Sequence, residues 1–380
     1  MKRRVYGQDH EDFRKTVRRF YVDELRPQFT EWEEAGCPPP SFWQRAGELG
    51  LLGIQVPERF GGGGVDSYLF NAILTEETQF AGLALGGLRV HTDICMPYFL
   101  RYANAGQQER WLPRLASGSA VTALAMSEPG AGSDVKSMAT RAVRDGDHYV
   151  VNGAKTFISN GSTADLVITA VKTDPEAGRA GVSLFVIDGD APGFGRRPIP
   201  KKMGLKGQDL GELSFSDVRV PVENLLGEEG HGFEYLMANL PQERLSIAIN
   251  SQAAAVQALH GTIEYVRERK AFGTTVASFQ NTKFELASCS TEIEAGQALV
   301  DRALEAHEAG ELTAVDAAVV KLFCTELQGR VVDRCLQLHG GYGYMLEYPI
   351  AKAYVDARVS RIYGGSSEVM KVVISKSLGL

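Results

Sequence analysis

The chain has 380 residues, 44% of them hydrophobic, and a formal net charge of −7 at pH 7. This length and apolar content can fill the cores of two or three domains or of one large layered domain. Phosphate binding needs a basic surface, so the acidic charge argues against a nucleic-acid-binding protein. No apolar run reaches membrane-spanning length, and charged residues rather than a signal-peptide core follow Met1. We therefore expect a cytoplasmic protein without stable membrane insertion.

The cysteine and histidine patterns predict neither a disulfide framework nor a metal site. The five cysteines are odd in number and lack CxxC spacing, and no HExxH pattern is present. We expect free, buried thiols in a reducing compartment.

Residues 8–111 show the apolar spacing of helices. Four consecutive glycines at 61–64 interrupt it, and without a following Lys-Ser/Thr pair we interpret them as a flexible connection. Gly86, Gly87 and Pro97 lie inside a helix predicted over 83–99, where each is unfavourable. Small residues there allow either close helix packing or a cavity, and the sequence does not distinguish these.

Near residue 121 the pattern changes to short β-favouring runs. The turn pairs Asp145-Gly146, Asn152-Gly153 and Asn160-Gly161 separate them, as in antiparallel hairpins. Helical periodicity returns after residue 230. We predict an α+β protein with an N-terminal helical domain (1–120), a middle antiparallel β domain (121–229) and a C-terminal four-helix bundle domain (230–380).

The stretch Leu-Pro-Gln-Glu-Arg-Leu at 240–245 lies inside a helix predicted over 232–269. Pro241 should kink or restart this helix, because it lacks a backbone N–H and displaces the carbonyl four residues earlier. Glu243 is then either a first-turn acid that complements the helix dipole or a functional carboxylate at a distorted turn.

A Gly-rich stretch at 126–134 carries Ser127 and Ser133. Its accessible N–H and hydroxyl donors suit an anionic or polar cofactor edge. Neither this stretch nor the glycines at 340–343 joins a strand to a helix in a βαβ unit, so a Rossmann dinucleotide site is not predicted.

Five separated stretches make the chain resemble the acyl-CoA dehydrogenases over nearly its whole length. They are MSEPGAGSD at 126–134, NGAKTFISNG at 152–161, ERKAFG at 268–273, QLHGGYGY at 337–344 and EYPIAKAYVDARVSRIYGG at 347–365. The resemblance looks closest to the long-chain subgroup. It implies the same three-domain architecture, a homotetramer with non-covalent FAD, an acyl-CoA substrate and an electron-transfer flavoprotein as partner.

The resemblance also assigns flavin contacts to two parts of the chain. Phe157 would cover one face of the ring where many relatives have Trp, and the alternative is a plain core aromatic. The ring and pyrophosphate contacts are Leu124, Met126, Ser127, Gly132, Ser133, Phe157, Ile158 and Ser159. The adenine-diphosphate contacts, which cross a subunit interface in the family, are Arg269, Phe272, Gln280, Gln337, Gly340 and Gly341. The remaining flavin contact is formed by Ser366 and Glu368.

The catalytic base is implied by a departure from the commonest members, which carry Glu at the position of Gly364. The long-chain and isovaleryl subgroups carry it on the long helix before an Arg, as in Glu243-Arg244. Glu243 becomes the implied α-proton base, while the Gly364 N–H and a flavin ribityl hydroxyl polarise the thioester carbonyl. The CoA and thioester end would be lined by Ser133, Pro241, Gln242 and Arg244. A surface salt bridge is the alternative for Arg244.

The implied reaction is α,β-dehydrogenation of a long-chain or branched acyl-CoA to the trans-2-enoyl-CoA, as in fatty acid β-oxidation, with β-hydride transfer to flavin N5. An acyl-CoA oxidase or a flavin monooxygenase on the same fold fits the same residue types. A non-enzymatic architectural or DNA-binding relative is disfavoured by the acidic charge and by Glu243.

Overall fold

A computed structural model describes residues 2–380 of the chain, apart from the side chain of Lys136. Helices, a sheet and further helices follow one another in the predicted order. The N-terminal helices are α1 (Gln8–Arg19), α2 (Phe29–Ala35), α3 (Pro40–Glu48), α4 (Leu69–Phe80), α5 (Gly86–Arg89), α6 (Met96–Tyr102) and α7 (Ala105–Ala116). A π-helical turn at Val90–Cys95 joins α5 to α6, and another at Phe20–Leu25 follows α1.

Seven strands form one sheet in the order β1-β4-β2-β3-β7-β6, with β5 also paired to β4. They are β1 (Thr122–Ala125), β2 (Arg141–Asp145), β3 (His148–Ser159), β4 (Leu166–Lys172), β5 (Val182–Asp188), β6 (Phe194–Pro198) and β7 (Leu210–Pro221). The pairing is antiparallel except where β1 and β2 meet β4 in parallel. The sequence did not predict β6, an edge strand of Gly, Arg and Pro with low β propensity.

Of the three predicted hairpin turns, the one at Asp145-Gly146 is confirmed, since it joins the paired strands β2 and β3. The prediction at Asn152-Gly153 is wrong, because β3 runs straight through it with a shift of register. A Cβ at Gly153 would lie 2.5 Å from the Thr140 hydroxyl, so the glycine permits a bulge pressed against the chain before β2. Asn160-Gly161 is a turn, but the strands on either side of it are not paired with each other.

The C-terminal region is built on α8 (Gly232–Glu268), which packs against the two other long helices and against α4. The elements after it are the hairpin β8 (Lys270–Ala271) and β9 (Thr274–Thr275), then α9 (Gln280–Glu308), α10 (Ala314–Leu338), α11 (Pro349–Ala357) and α12 (Ser367–Ser377). The single long helix is confirmed, and of the two outcomes expected at Pro241 the restart is wrong, because α8 continues through the proline, while the kink stays a prediction. Every residue from 242 to 249 is buried, and this packing offsets the hydrogen bond lost at the proline.

The glycines at 61–64 do not form the flexible connection that we predicted. The N–H groups of Gly63 and Gly64 donate to the carbonyls of Gly53 and Val56, both at 2.9 Å. A Cβ at Gly62 would overlap the Val56 backbone. The stretch is therefore a tightly packed turn that requires residues without side chains.

The two possibilities for Gly86 and Gly87 are resolved in favour of close packing. A Cβ at Gly86 would overlap the Gln208 side chain, and a Cβ at Gly87 would overlap Asn160 Oδ1. Asn160 cannot move aside freely, because its Nδ2 donates to the carbonyls of Gly87 and Thr122, both at 3.0 Å. The small residues thus allow α5 to pack directly against the end of β3. This contact fixes the sheet against the N-terminal helices.

Gly87→Ala should lower the stability of the protein by about 1–3 kcal/mol, because a methyl group would be forced into a closed contact. Chemical denaturation measures the change. Gly106→Ala is the matched control, since the added Cβ meets only ordinary contact at 3.6 Å and should leave stability unchanged or slightly higher. Equal midpoints for Gly87→Ala and the unaltered protein would contradict the packing argument.

Candidate active site

Glu243 is a buried carboxyl group in the interior of α8. It is 7% exposed and lies about three turns after the first residue of the helix, so its interpretation as a first-turn partner of the helix dipole is wrong. The Tyr98 hydroxyl donates to Glu243 Oε1 at 3.2 Å. Burial raises the pKa of Glu243 to about 7, although the Tyr98 hydrogen bond and the Arg244 charge act to lower it. The group can therefore exchange a proton near neutral pH.

Arg244 is buried as well, at 6% exposure, so the surface salt bridge considered for it is wrong. Within the part of the chain that the structure describes, no carboxylate lies within 4.0 Å of the guanidinium, and Nε has no hydrogen-bond partner. Burial lowers the pKa of Arg244 while the Glu243 charge raises it. A buried, unsatisfied cationic donor indicates an acceptor that the protein itself does not supply.

Gly364 and Gly365 form a turn in which both residues have positive φ, +64° and +94°, a conformation that glycine adopts without strain. A Cβ at Gly364 would overlap Cδ1 of Ile247. Ile247 lies four residues after Glu243 on α8, so the two side chains share a helix face. The turn thus meets the face of α8 that carries Glu243, and Ile247 fills the space that a side chain at 364 would need.

A buried hydrogen-bond network joins α8 to the π-helical turn at Val90–Cys95. The Ser246 hydroxyl donates to Asp93 Oδ2 at 2.5 Å, and the Gln242 amide donates to the Asp93 carbonyl at 2.8 Å. A ring nitrogen of His307 lies 3.2 Å from Gln242 Oε1. The Asp93 carboxylate also accepts from Tyr68, Asn71, Thr75 and Thr92. Both polar atoms of the Gln242 amide are therefore engaged by the protein, and α8 is fixed beside Glu243.

The Gly-rich stretch at 126–134 is held in place at its start, whereas its tip is exposed. Lys155 Nζ donates to the Met126 carbonyl at 3.0 Å and pairs with Glu128 Oε1 at 2.9 Å, both residues of the pair being buried. Glu128 also accepts from two backbone N–H groups just before β2. Gly132 and Ser133 are exposed, whereas Leu124, Met126 and Ser127 are half-buried. The buried ion pair holds the stretch while its tip leaves donors accessible.

Phe157 is not the core aromatic considered as an alternative, because it is 67% exposed. Its φ is +58°, an outlier for an aromatic residue that costs on the order of 1–3 kcal/mol. Its neighbour Ile158 is buried, and the Ser159 hydroxyl accepts from Gln208 at 2.9 Å. The strand on either side is fixed, so the strained backbone presents a large ring to the outside. Strain that persists in this way is a feature of functional sites.

A cleft of about 620 Å³ lies at the end of α10, and Arg269, Gly340 and Gly341 are among its lining residues. The Arg269 guanidinium lies over the Tyr342 ring, 5.1 Å from its centre. Glycines and a cation on an open surface leave N–H groups and positive charge available to a phosphate group. The structure thus brings these three predicted residues together.

The other predicted cofactor residues of this region do not line the cleft. Phe272 is 96% exposed, and Gln280, Gln337 and Glu368 are also exposed. Ser366 caps α12 by accepting the N–H of Val369 at 3.4 Å. In the described chain, these four exposed side chains are accessible to a bound molecule or to another subunit.

Sequence reasoning missed the side chains that complete the surroundings of Glu243. Tyr98 and Asp93 come from a region assigned only as helix, and Ile247 was not singled out. Lys321 is completely buried in α10, and its Nζ donates to the Gly365 carbonyl at 2.7 Å. A single lysine in an apolar helix stripe was the available signal, because a buried lysine is rare.

Within residues 2–380, no group of three or more His, Cys, Asp or Glu side chains could hold a metal ion. None of the helices in this range is both long and apolar enough to span a membrane.

Glu243→Gln should stabilise the protein at pH 8 but not at pH 4. The folded-state pKa of about 7 exceeds the ordinary value of 4.5, so the folded state binds this proton more tightly than the unfolded state. Its contribution to stability is present below about pH 4.5 and is lost as pH rises through 7, a loss of about 3 kcal/mol. Thermal denaturation at both pH values measures the difference. Equal effects of the substitution at pH 4 and pH 8 would contradict a buried carboxyl group.

Comparison with known proteins extends over the whole chain. The acyl-CoA dehydrogenase N-terminal, middle and C-terminal domain models match residues 7–119, 123–218 and 230–379. The long-chain specific acyl-CoA dehydrogenase of Rattus norvegicus mitochondria is 45% identical over 378 residues, which cover 99% of this chain and 88% of that protein.

Solved structures agree with the sequence comparison. An acyl-CoA dehydrogenase from Geobacillus kaustophilus superposes with a TM-score of 0.98 at 45% identity and full coverage of both chains. A glutaryl-CoA dehydrogenase from Mycobacterium smegmatis in complex with FADH2 superposes with a TM-score of 0.90 at 28% identity, covering 98% of this chain and 95% of that one. With all three domains matched in order, the chain belongs to the acyl-CoA dehydrogenase family and is an acyl-CoA dehydrogenase.

Proposed function

We propose that the enzyme is an FAD-dependent dehydrogenase that converts a long-chain or branched acyl-CoA to the trans-2-enoyl-CoA, with Glu243 as the base that removes the α-proton. The observation that carries this proposal is a buried carboxyl group with a pKa of about 7 on the face of α8 that meets the Gly364 turn. The similarity to a long-chain specific enzyme supports the substrate class.

The residues present fit a flavin. The strained, exposed Phe157 offers a ring face, and the tip of the stretch at 126–134 offers N–H and hydroxyl donors near Ser133. The cleft with Arg269, Gly340 and Gly341 has the positive charge and open backbone that a diphosphate requires. We assign the ring contacts and the adenine-diphosphate contacts to these two surfaces. When bound, FAD supplies the acceptor for the β-hydride.

The chain's own residues account for the proton transfer. A carboxylate with a pKa near 7 is a stronger base than an ordinary glutamate, and near neutral pH it is still substantially ionised. The Gly364 N–H would donate to the thioester carbonyl as negative charge develops on its oxygen, a role that requires a fixed donor in a dry site. Arg244 supplies positive charge next to this turn, and Pro241, Arg244 and Ser133 would line the thioester and CoA end.

We propose two kinds of partner, namely further copies of the same chain and an electron acceptor. Large side chains beside the diphosphate cleft are exposed, including Phe272 at 96% and Tyr344 at 89%, and this supports a homotetramer in which a neighbouring subunit covers them. We propose an electron-transfer flavoprotein as the acceptor and the cytoplasm as the location.

Glu243→Gln tests the proposed base directly. The amide keeps the shape and hydrogen-bonding capacity of the side chain but removes the carboxylate, so flavin and acyl-CoA binding should persist. Because general-base catalysis contributes about 10²–10⁴ in rate, anaerobic bleaching of the flavin by a long-chain acyl-CoA should slow by at least this factor in a stopped-flow experiment. Bleaching at the unaltered rate would refute Glu243 as the base.

Moving the base to position 364 should require a third substitution. Glu243→Gly should abolish bleaching, and adding Gly364→Glu should restore little, because the new side chain would collide with Ile247. Adding Ile247→Ala as well should restore measurable activity by opening that space. Ile247→Ala with Glu243 intact is the control for damage to the site. Better recovery in the double than in the triple variant would contradict the assigned collision.

A further inference from the structure

Lys321 carries a buried charge that the mechanism above does not use. Its exposed fraction is 0%, and across the described residues no carboxylate lies within 4.0 Å of its Nζ. Its hydrogen bond goes to the Gly365 carbonyl at 2.7 Å. Burial lowers its pKa to about 8. Since burying an unpaired cation is costly, a role at this turn would explain why the lysine is there.

The charged groups around Lys321 leave the turn positively charged. Arg244 faces it from α8 and lowers its pKa, whereas Glu326 on its own helix and Glu368 on α12 raise it by acting at a distance. Glu326 is already engaged, because its Oε2 lies 3.5 Å from Arg361 Nη1 and its Oε1 accepts from the Ser367 hydroxyl at 2.6 Å. Two buried cations, Lys321 and Arg244, therefore flank the Gly364–Gly365 turn.

The turn has little means of fixing its own shape. Two successive glycines with positive φ lack side chains and have more conformational freedom than any other residue pair. In the described chain the Gly364 N–H has no hydrogen-bond partner. The bond from Lys321 to the Gly365 carbonyl, two peptide units after that N–H, therefore restrains the direction in which the N–H points.

We propose, on the basis of the proposed function, that Lys321 is a positioning residue for the reaction. Its ammonium group holds the Gly365 carbonyl so that the Gly364 N–H is aimed at the thioester oxygen. Its charge, together with that of Arg244, favours the enolate-like form of the bound acyl group.

A 3-ketoacyl-CoA of long chain length tests this without turnover. It contains an acidic α-proton, and its enolate absorbs in the near ultraviolet, so a pH titration of the complex with flavin-loaded enzyme gives the apparent pKa of the bound ligand. In Lys321→Met this pKa should rise by about one unit, a tenfold loss of enolate at a given pH. Lys321→Arg should restore part of the shift. Thr325→Val is the matched control, because its buried hydroxyl bonds to carbonyls of the same helix.

The outcomes separate the two proposals. If the unaltered enzyme does not lower the ligand's pKa below its value in water, the proposed function is wrong. If it does, and Lys321→Met leaves the bound pKa unchanged, Lys321 has no positioning role. An equal rise in Thr325→Val would also overturn the inference, because general loosening of α10 would then be the cause. Should the Met variant fail to fold, Lys321→Leu removes the same charge and the same donor, and an unchanged ligand pKa in that variant overturns the inference equally.

Discussion

Keeping one carboxyl group away from water is the constraint on which this active site depends. Desolvation raises the pKa of Glu243 to about 7, and it does so because α8 is buried between the N-terminal helices and the C-terminal bundle. The same burial destabilises the ionised protein by about 3 kcal/mol above pH 7. Such a cost is a large share of one domain's net stability, which is of the order of 5–15 kcal/mol. The fold therefore supports the chemistry by supplying stability elsewhere.

The helices followed from apolar periodicity and most of the strands from β-favouring runs between turns. Glu243 was selected because the chain resembles subgroups that carry the base on the long helix just before an Arg. The failures share a physical cause, which is that distant parts of the chain decide the local conformation. Gly153 resembled a hairpin turn, but it is pressed against Thr140 within a continuous strand. Pro241 resembled a break, but packing on both sides keeps the helix intact.

The side chains around Glu243 and the Gly364–Gly365 turn were less predictable than Glu243 itself. Tyr98 is separated from it by 145 residues, and Lys321 lies 44 residues from the carbonyl that it binds. Neither has a recognisable local motif, because a single tyrosine or lysine in a helix is usually an ordinary amphipathic residue. Only the packing of α6, α8 and α10 reveals that these groups meet at one place.

The relation between Ile247 and Gly364 gives a steric reason for a base on α8. The small space between α8 and the Gly364–Gly365 turn can hold one side chain, either from the helix or from the turn. With glycine at 364, Ile247 extends into this volume, and the proposed base, Glu243, lies on the helix. A carboxylate on the turn would instead need positive φ at a non-glycine residue and a smaller residue on α8. The position of the base is therefore a property of a pair of residues.

The features that mark the site are those that cost stability. Phe157 holds a strained backbone while exposing its ring, and Glu243 is buried as an acid. Arg244 and Lys321 are buried without an ion pair to any residue that the structure describes. Each of these features, taken alone, can occur in a protein for structural reasons without any role in function. Together they lie on the sheet, on α8 and on the adjoining turn, where the proposed reaction would bring a flavin ring, an α-carbon and a thioester oxygen into contact. Because proteins depart from such rules mainly at functional or strained sites, their combination supports the proposed function without reference to the sequence motifs.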